Sequence, residues 1–364
     1  MPDDDKFQHT AKDERILAVI ERWAPRFISN GVPLTDYQEV MDGLEVWDDW
    51  CGHWAARASE HEARGREALE AGLTISAAQH LDTAGVLYHF AKFVFVNDME
   101  QLKATHAKAV ECRNLALPHL DPPGERIGIP YKNGTLYGNL RKPAGVARPP
   151  LVIMCMGMDS AKEEMGTNEA HFHKRGIATL AFDGPGQGEG EYDFPINPAY
   201  EEAVTAVCDA VTARNDVDAG NMGVWGVSFG GYYAPRAAAF EKRLKACISI
   251  SGPFHFGALW EQRATNEVFV VRSHSKSEDE AYEIAKQVDL RDCAKEITCP
   301  LYIVGGELDV LTPPEEQEAL AAAASGPVEL NILKGGNHCA NNLRHKYSPQ
   351  SADWMAGHLG GHVG

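Results

Sequence analysis

The spacing of apolar and polar residues changes about a third of the way along the chain. Up to residue 118 apolar side chains recur at helical intervals. Ile16, Ile20, Trp23 and Phe27 share one face of segment 13–28. A second segment starts at Thr35, where Thr35 and Gln38 form a capping-box pattern. It carries Val40, Met41, Leu44, Trp47, Trp50, Cys51 and Trp54 before a polar end at 59–72. A third starts near Ser76, again box-like with Gln79. It is so nearly all apolar over 84–96 that burial on most sides is expected. A fourth runs from Asp98 to Leu117, before Pro118. The spacing of Trp47, Trp50 and Trp54 favours packing between helices over lining a pocket.

After the link PHLDPPGE (118–125) the texture becomes strand-like. Short β-type runs fall at 126–131, 134–141, 151–156, 177–182, 222–227, 246–251, 301–304 and 328–333. The first two, close across Asn133-Gly134, predict an antiparallel hairpin. From Leu151 onward helix-compatible stretches alternate with strands, which predicts a mostly parallel sheet covered on both faces. A segment of helical pattern at 253–297 interrupts the alternation and is expected to form a small cap over the strand ends. The predicted architecture is an all-helical domain over 1–120, then an α/β domain over 121–364 with an eight-stranded, mostly parallel sheet and a cap at 253–297. Eight strands with a hairpin first and a sharp Gly-Ser turn after the fifth is the α/β-hydrolase order.

That turn is Gly226-Val-Ser-Phe-Gly230, a G-x-S-x-G nucleophile elbow between an apolar run and a helix-compatible one. The elbow presents Ser228, whose hydroxyl needs a base. In this fold an acid and then a histidine follow the serine in the chain. Asp309, in the loop after 301–304, is preferred over Glu307, which is expected to face solvent. His338 follows the last strand across Gly335-Gly336, the only histidine so placed. His171 and His173 are expected to be surface residues, and His255 divides evenly between substrate contact and structure. The roles read as Ser228 nucleophile, His338 base then acid, and Asp309 orienter of the imidazole. Two backbone N–H groups must hold the oxyanion: that of Phe229, and one from the loop 157–160, Met158 first with Asp159 as alternate. The glycine-rich run 183–190 lacks the lysine and hydroxyl of a phosphate loop and reads as a mobile loop bordering the site.

Composition narrows the partners. The 364 residues carry 34 basic and 52 acidic side chains, a net charge of −18, which disfavours nucleic acid or an anionic membrane. The N-terminus MPDDDKFQHT is acidic and polar rather than a secretory leader, and no apolar run reaches the ~20 residues of a membrane span. Eight scattered cysteines without a C-x-x-C pair read as reduced cytoplasmic thiols. No metal or organic cofactor is implied.

Four phrases extend this reading: Gly157-Met-Asp-Ser-Ala-Lys-Glu-Glu164, Asp183-Gly-Pro-Gly-Gln-Gly-Glu189, Gly226-Val-Ser-Phe-Gly-Gly231 and His338-Cys-Ala-Asn-Asn-Leu343. Together with the helical first third, they resemble the α/β-hydrolase group that contains 2,6-dihydroxypseudooxynicotine hydrolase and polyketide-shortening relatives. The resemblance implies cleavage of a carbon–carbon bond beside a ketone through an acyl-serine. It also implies an extra acid near the serine, for which Glu261 is the candidate, and pairing into homodimers. An esterase, thioesterase or acyltransferase would use the same serine, acid and histidine, so the sequence leaves a small ketone or an ester open as substrate. A non-catalytic binding module is disfavoured because all three residues are present.

Overall fold

The computed structural model describes residues 12–363; the N-terminal decapeptide read above as lacking a leader pattern lies outside them. The first third is helical: α1 Glu14–Ser29, α2 Leu34–Gly43, α3 Trp50–Glu70, α4 Thr74–Lys92 and α5 Met99–Ala116. Asp13 caps α1 through the N–H of Arg15, and Asp98 caps α5 through the N–H groups of Glu100 and Gln101. Neither predicted capping box forms. Pro33 and Leu73 hold the N-cap positions of α2 and α4, which puts Thr35 and Ser76 inside the first turns. The second predicted helix is also two. Leu44 turns into extended backbone with its side chain fully buried, and a short 3-10 turn at Trp47–Asp49 restarts the chain as α3.

These helices share an aromatic core. Phe27 lies 4.2 Å from Phe90 and stacks on Trp54 at 5.2 Å, with Trp50 and Phe93 around it. Rings of this size bury much apolar surface each and set the helix spacing. Trp50 and Trp54 pack as expected, and α4 is buried along most of its length. Within that burial α4 also carries His89 and Lys92, both fully shielded from water.

All eight predicted strands are present: β1 Gly124–Tyr131, β2 Gly134–Arg141, β3 Pro150–Cys155, β4 Ala178–Asp183, β5 Asp218–Val227, β6 Leu244–Ile250, β7 Leu301–Gly306 and β8 Val328–Leu333. Their order in the sheet is β1-β2-β4-β3-β5-β6-β7-β8. β2 pairs antiparallel with β1 and with β4, and every other pair is parallel. β3 has no polar residue because both its faces are covered. Leu151, Ile153 and Cys155 face one core, where α7 (Glu201–Thr212), α8 (Gly230–Phe240) and α11 (Pro314–Ala323) pack. Val152, Met154 and Met156 face the other, with α6 (Gly166–His173) and α12 (Ser348–Leu359). His173, expected at the surface, is buried and bonded to Thr179 at 2.8 Å because α6 lies flat on the sheet.

Between β6 and β7 lies the helical insertion: a 3-10 turn at Phe256–Gln262, α9 Glu267–Arg272, α10 Glu278–Ala285 and a 3-10 turn at Ala294–Glu296. Phe256 and Phe269 stack on each other and meet Phe229, at 5.0 and 6.0 Å, so the insertion sits over the end of β5. All eight cysteines are free thiols, seven of them buried. No helix among the described residues is long and apolar enough to cross a membrane.

Candidate active site

β5 ends at Val227 and α8 begins at Gly230, leaving two residues to turn the chain. Ser228 takes φ +56° to do so. A left-handed serine costs on the order of 1–3 kcal/mol, so the surroundings must hold it. Its N–H donates to Ile250 O of β6 at 2.8 Å. A methyl at Gly226 would run into the carbonyl of Gly230, and one at Gly230 into the carbonyl of Cys155. The two motif glycines are therefore required by close packing. Four of the seven non-glycine residues with positive φ among the described residues, Ser228, Ser251, Cys339 and Ala340, gather here.

The structure brings Ser228, His338 and Asp309 together. Ser228 Oγ lies 2.8 Å from His338 Nε2, and His338 Nδ1 lies 3.0 and 2.9 Å from the two oxygens of Asp309. The carboxylate faces Nδ1, so that nitrogen carries the proton and Nε2 is free to accept from the serine. Asp309 is buried and further held by the N–H groups of Leu311 and Thr312 and by the Thr312 hydroxyl. Thr312, whose Oγ lies 2.9 Å from both Asp309 Oδ2 and Ser251 O and can donate its one proton to either, was not singled out from the sequence. Burial disfavours a charged imidazole, but the Asp309 carboxylate outweighs it and holds the His338 pKa well above 6.5. Glu307 is exposed as expected and accepts from Gly335 N–H.

Phe229 and Met158 line the cavity at Ser228, and among the described residues neither N–H has an acceptor. The loop carrying Met158 is held from two sides. Gln187 donates to Met156 O and Gly157 O at 2.5 and 2.8 Å and is itself held by the Tyr200 hydroxyl. From α1, Arg26 reaches Asp159 at 3.4 Å, Ser160 at 3.0 Å and Glu164 at 3.0 Å. The run 183–190 is thus not a loop bordering the cavity. None of its residues lines the cavity, and all but Glu189 are buried. Lys162 explains why: its ammonium lies 2.7 Å from Asp183, Glu163 and Glu189 and binds that run to the loop after β3. His106, Glu163 and Asp183 are the one group among the described residues spaced to hold a metal ion. The Lys162 ammonium already supplies the positive charge between those carboxylates.

The cavity above Ser228 has a volume of about 310 Å³. Helix α1 and the 3-10 turn contribute Val19, Trp23 and Trp47, and the insertion contributes Phe256, Arg263 and Phe269. Trp23 meets the His338 ring edge-on at 5.9 Å. Trp47 both stacks on Trp50 and lines the cavity, so packing and pocket are not alternatives for it. Glu261 is a correction: it is exposed and does not line the cavity, because the 3-10 turn points Leu259 and Trp260 inward and Glu261 outward. His255 bridges to Asp289 and also lies off the cavity.

A model of the FrsA-like esterase family matches residues 37–270. The chain is similar to 2,6-dihydropseudooxynicotine hydrolase of Paenarthrobacter nicotinovorans, at 32% identity over 91% of this chain and 90% of that one. It resembles the crystal structure of a 2,6-dihydroxy-pseudo-oxynicotine hydrolase with TM-score 0.86 and 31% identity, covering 92% and 95% of the two chains. It is also similar to the hydrolyase poxO of Penicillium oxalicum, at 33% identity over 57% of this chain and 52% of that longer one.

Proposed function

The chain belongs to the FrsA-like esterase family and is an α/β-hydrolase, and from that premise we propose that it hydrolyses a carbon–carbon bond beside a ketone through an acyl-serine. Ser228 adds to the carbonyl as His338 takes its proton. The N–H groups of Phe229 and Met158 receive the oxyanion, each donor contributing on the order of 3 kcal/mol to barrier lowering. Collapse of the tetrahedral adduct expels carbon rather than oxygen. The His338 imidazolium, which holds the serine's proton, is the acid placed to protonate it, since Glu261 faces solvent. Water activated by His338 then releases the acid.

The observation that carries this reading is the hydrogen-bonded line Ser228–His338–Asp309 opening into a cavity walled by both the helical third and the insertion. Similarity to a pseudooxynicotine hydrolase over nine-tenths of both chains supports ketone over ester. A second reading, ester hydrolysis, is favoured by the family's description as an esterase. Purified protein offered a 1,3-diketone and an aryl ester separates the two: turnover of the ester alone overturns the carbon–carbon reading. Absence of fluorophosphonate labelling at Ser228 overturns the serine mechanism itself.

A further inference from the structure

Arg263 is set apart from the other arginines. Only Arg22, Arg64 and Arg263 have neither an ion pair nor a side-chain hydrogen bond among the described residues, and Arg22 and Arg64 are exposed. Arg263 lies at the end of the insertion's first 3-10 turn, its N–H bonded to Trp260 O, and lines the cavity that holds Ser228. Its Nε is buried without an acceptor, and its guanidinium lies 5.2 Å from the ring centroid of Phe256. Phe256 in turn meets Phe229, the residue after the nucleophile, at 5.0 Å. One aromatic layer therefore separates an unpaired cation from the elbow. Burial lowers the guanidinium pKa, and Asp159, across the cavity, opposes that only through space. A half-buried cation with its Nε shielded from water and no partner in the protein is poised for an anion that the protein does not supply.

We propose that Arg263 binds the oxygen on which negative charge collects when the carbon–carbon bond breaks. This rests on the reaction proposed above. As the adduct on Ser228 collapses, the bonding pair moves to the leaving carbon and delocalises onto the neighbouring carbonyl oxygen, forming an enolate. The acyl group stays on Ser228. The enolate oxygen meets the Arg263 guanidinium, and the carbon then takes the proton from His338, giving a neutral ketone and a neutral imidazole. The substrate class is accordingly a β-dicarbonyl or an equivalent acyl-arene whose leaving fragment carries charge on oxygen. An aryl ester, which leaves directly as a phenol beside His338, has no second oxygen to present.

The test compares Arg263→Ala and Arg263→Lys with the parent protein on a series of 1,3-diketones of graded enol acidity and on phenyl acetate. Arg263→Ala is expected to lower kcat/KM for the diketones about 100-fold, the scale of losing a donor to a developing oxyanion. It is expected to lower ester turnover less than about 3-fold and to steepen the dependence of diketone rate on leaving-group acidity. Arg263→Lys recovers part of the diketone loss. Equal losses on both substrate types, or an unchanged acidity dependence, overturn the assignment while leaving the carbon–carbon reading in place. Ester turnover with no diketone turnover by the parent protein overturns both.

Discussion

Arg26 of α1 donates to both oxygens of Glu164, at 3.0 and 3.1 Å, across 138 residues of chain. Both side chains are buried, and the same guanidinium holds Ser160 and Asp159 of the loop that presents Met158 N–H. The helical third thus reaches into the oxyanion side of the site. Arg26→Ala leaves Glu164 with only His89 and Ser160, and breaking a buried pair from one side costs about 3–5 kcal/mol. The expected outcome is a loss of that size in urea unfolding and a kcat reduced about 10- to 100-fold, below the full loss of an oxyanion donor.

The same contact makes stability depend on acid. Burial alone would raise the Glu164 pKa, but Arg26 and His89 outweigh it and bring it to about 2, against an ordinary 4.5. The unfolded chain takes up this proton near 4.5 and the folded one only near 2. The contribution is therefore complete above pH 4.5 and is lost as pH falls towards 2. Urea midpoints measured across that window are expected to fall more in the parent protein than in Glu164→Gln.

His338 works as a base only when neutral, and Asp309 raises its pKa. The acid limb of kcat/KM is accordingly expected to have its midpoint above pH 6.5. Asp309→Asn removes the charge, so the midpoint moves to lower pH while kcat falls by about 10⁴-fold through loss of the favoured tautomer. A pH–rate profile of both proteins checks the direction.

Lys162 is fully buried among Asp183, Glu163 and Glu189. Burial pushes its pKa down, and the three carboxylates more than reverse that. Lys162→Met leaves carboxylates unpaired in the interior, and a loss of about 3–5 kcal/mol is expected in chemical unfolding. Lys162→Met with Asp183→Asn is expected to be less damaged than Lys162→Met alone, a non-additivity that a double-mutant cycle measures.

Glu261→Gln is expected to change kcat/KM for any substrate less than about 2-fold, since the carboxylate is exposed and off the cavity. Steady-state kinetics on the diketone and the ester check it.

Much of this protein is legible locally. Strand alternation, the Gly-Ser-Gly spacing and the order Ser228, Asp309, His338 are short-range patterns, and each has its counterpart in the sheet and the hydrogen-bonded line at Ser228. Helix starts are not legible where chain reversal decides them. Thr35 and Ser76 have the right neighbours for a capping box, but Pro33 and Leu73 take the cap. The run 183–190 has the glycine spacing of a loop at the rim, and that spacing does not reveal that Lys162 draws it inward. Glu261 is a candidate through the family resemblance and its place at the start of the insertion, and a 3-10 turn sets its direction outward.

By itself, then, the sequence determined the fold class, the elbow and the three residues that meet there, because backbone periodicity and steric demand act within a few residues. Tertiary structure alone decided that Arg26 holds the oxyanion loop, that Trp23 meets His338 and that Arg263 faces the cavity unpaired. Those relations depend on which groups meet across long stretches of chain and which are shielded from water, and neither property is carried by any local run of residues.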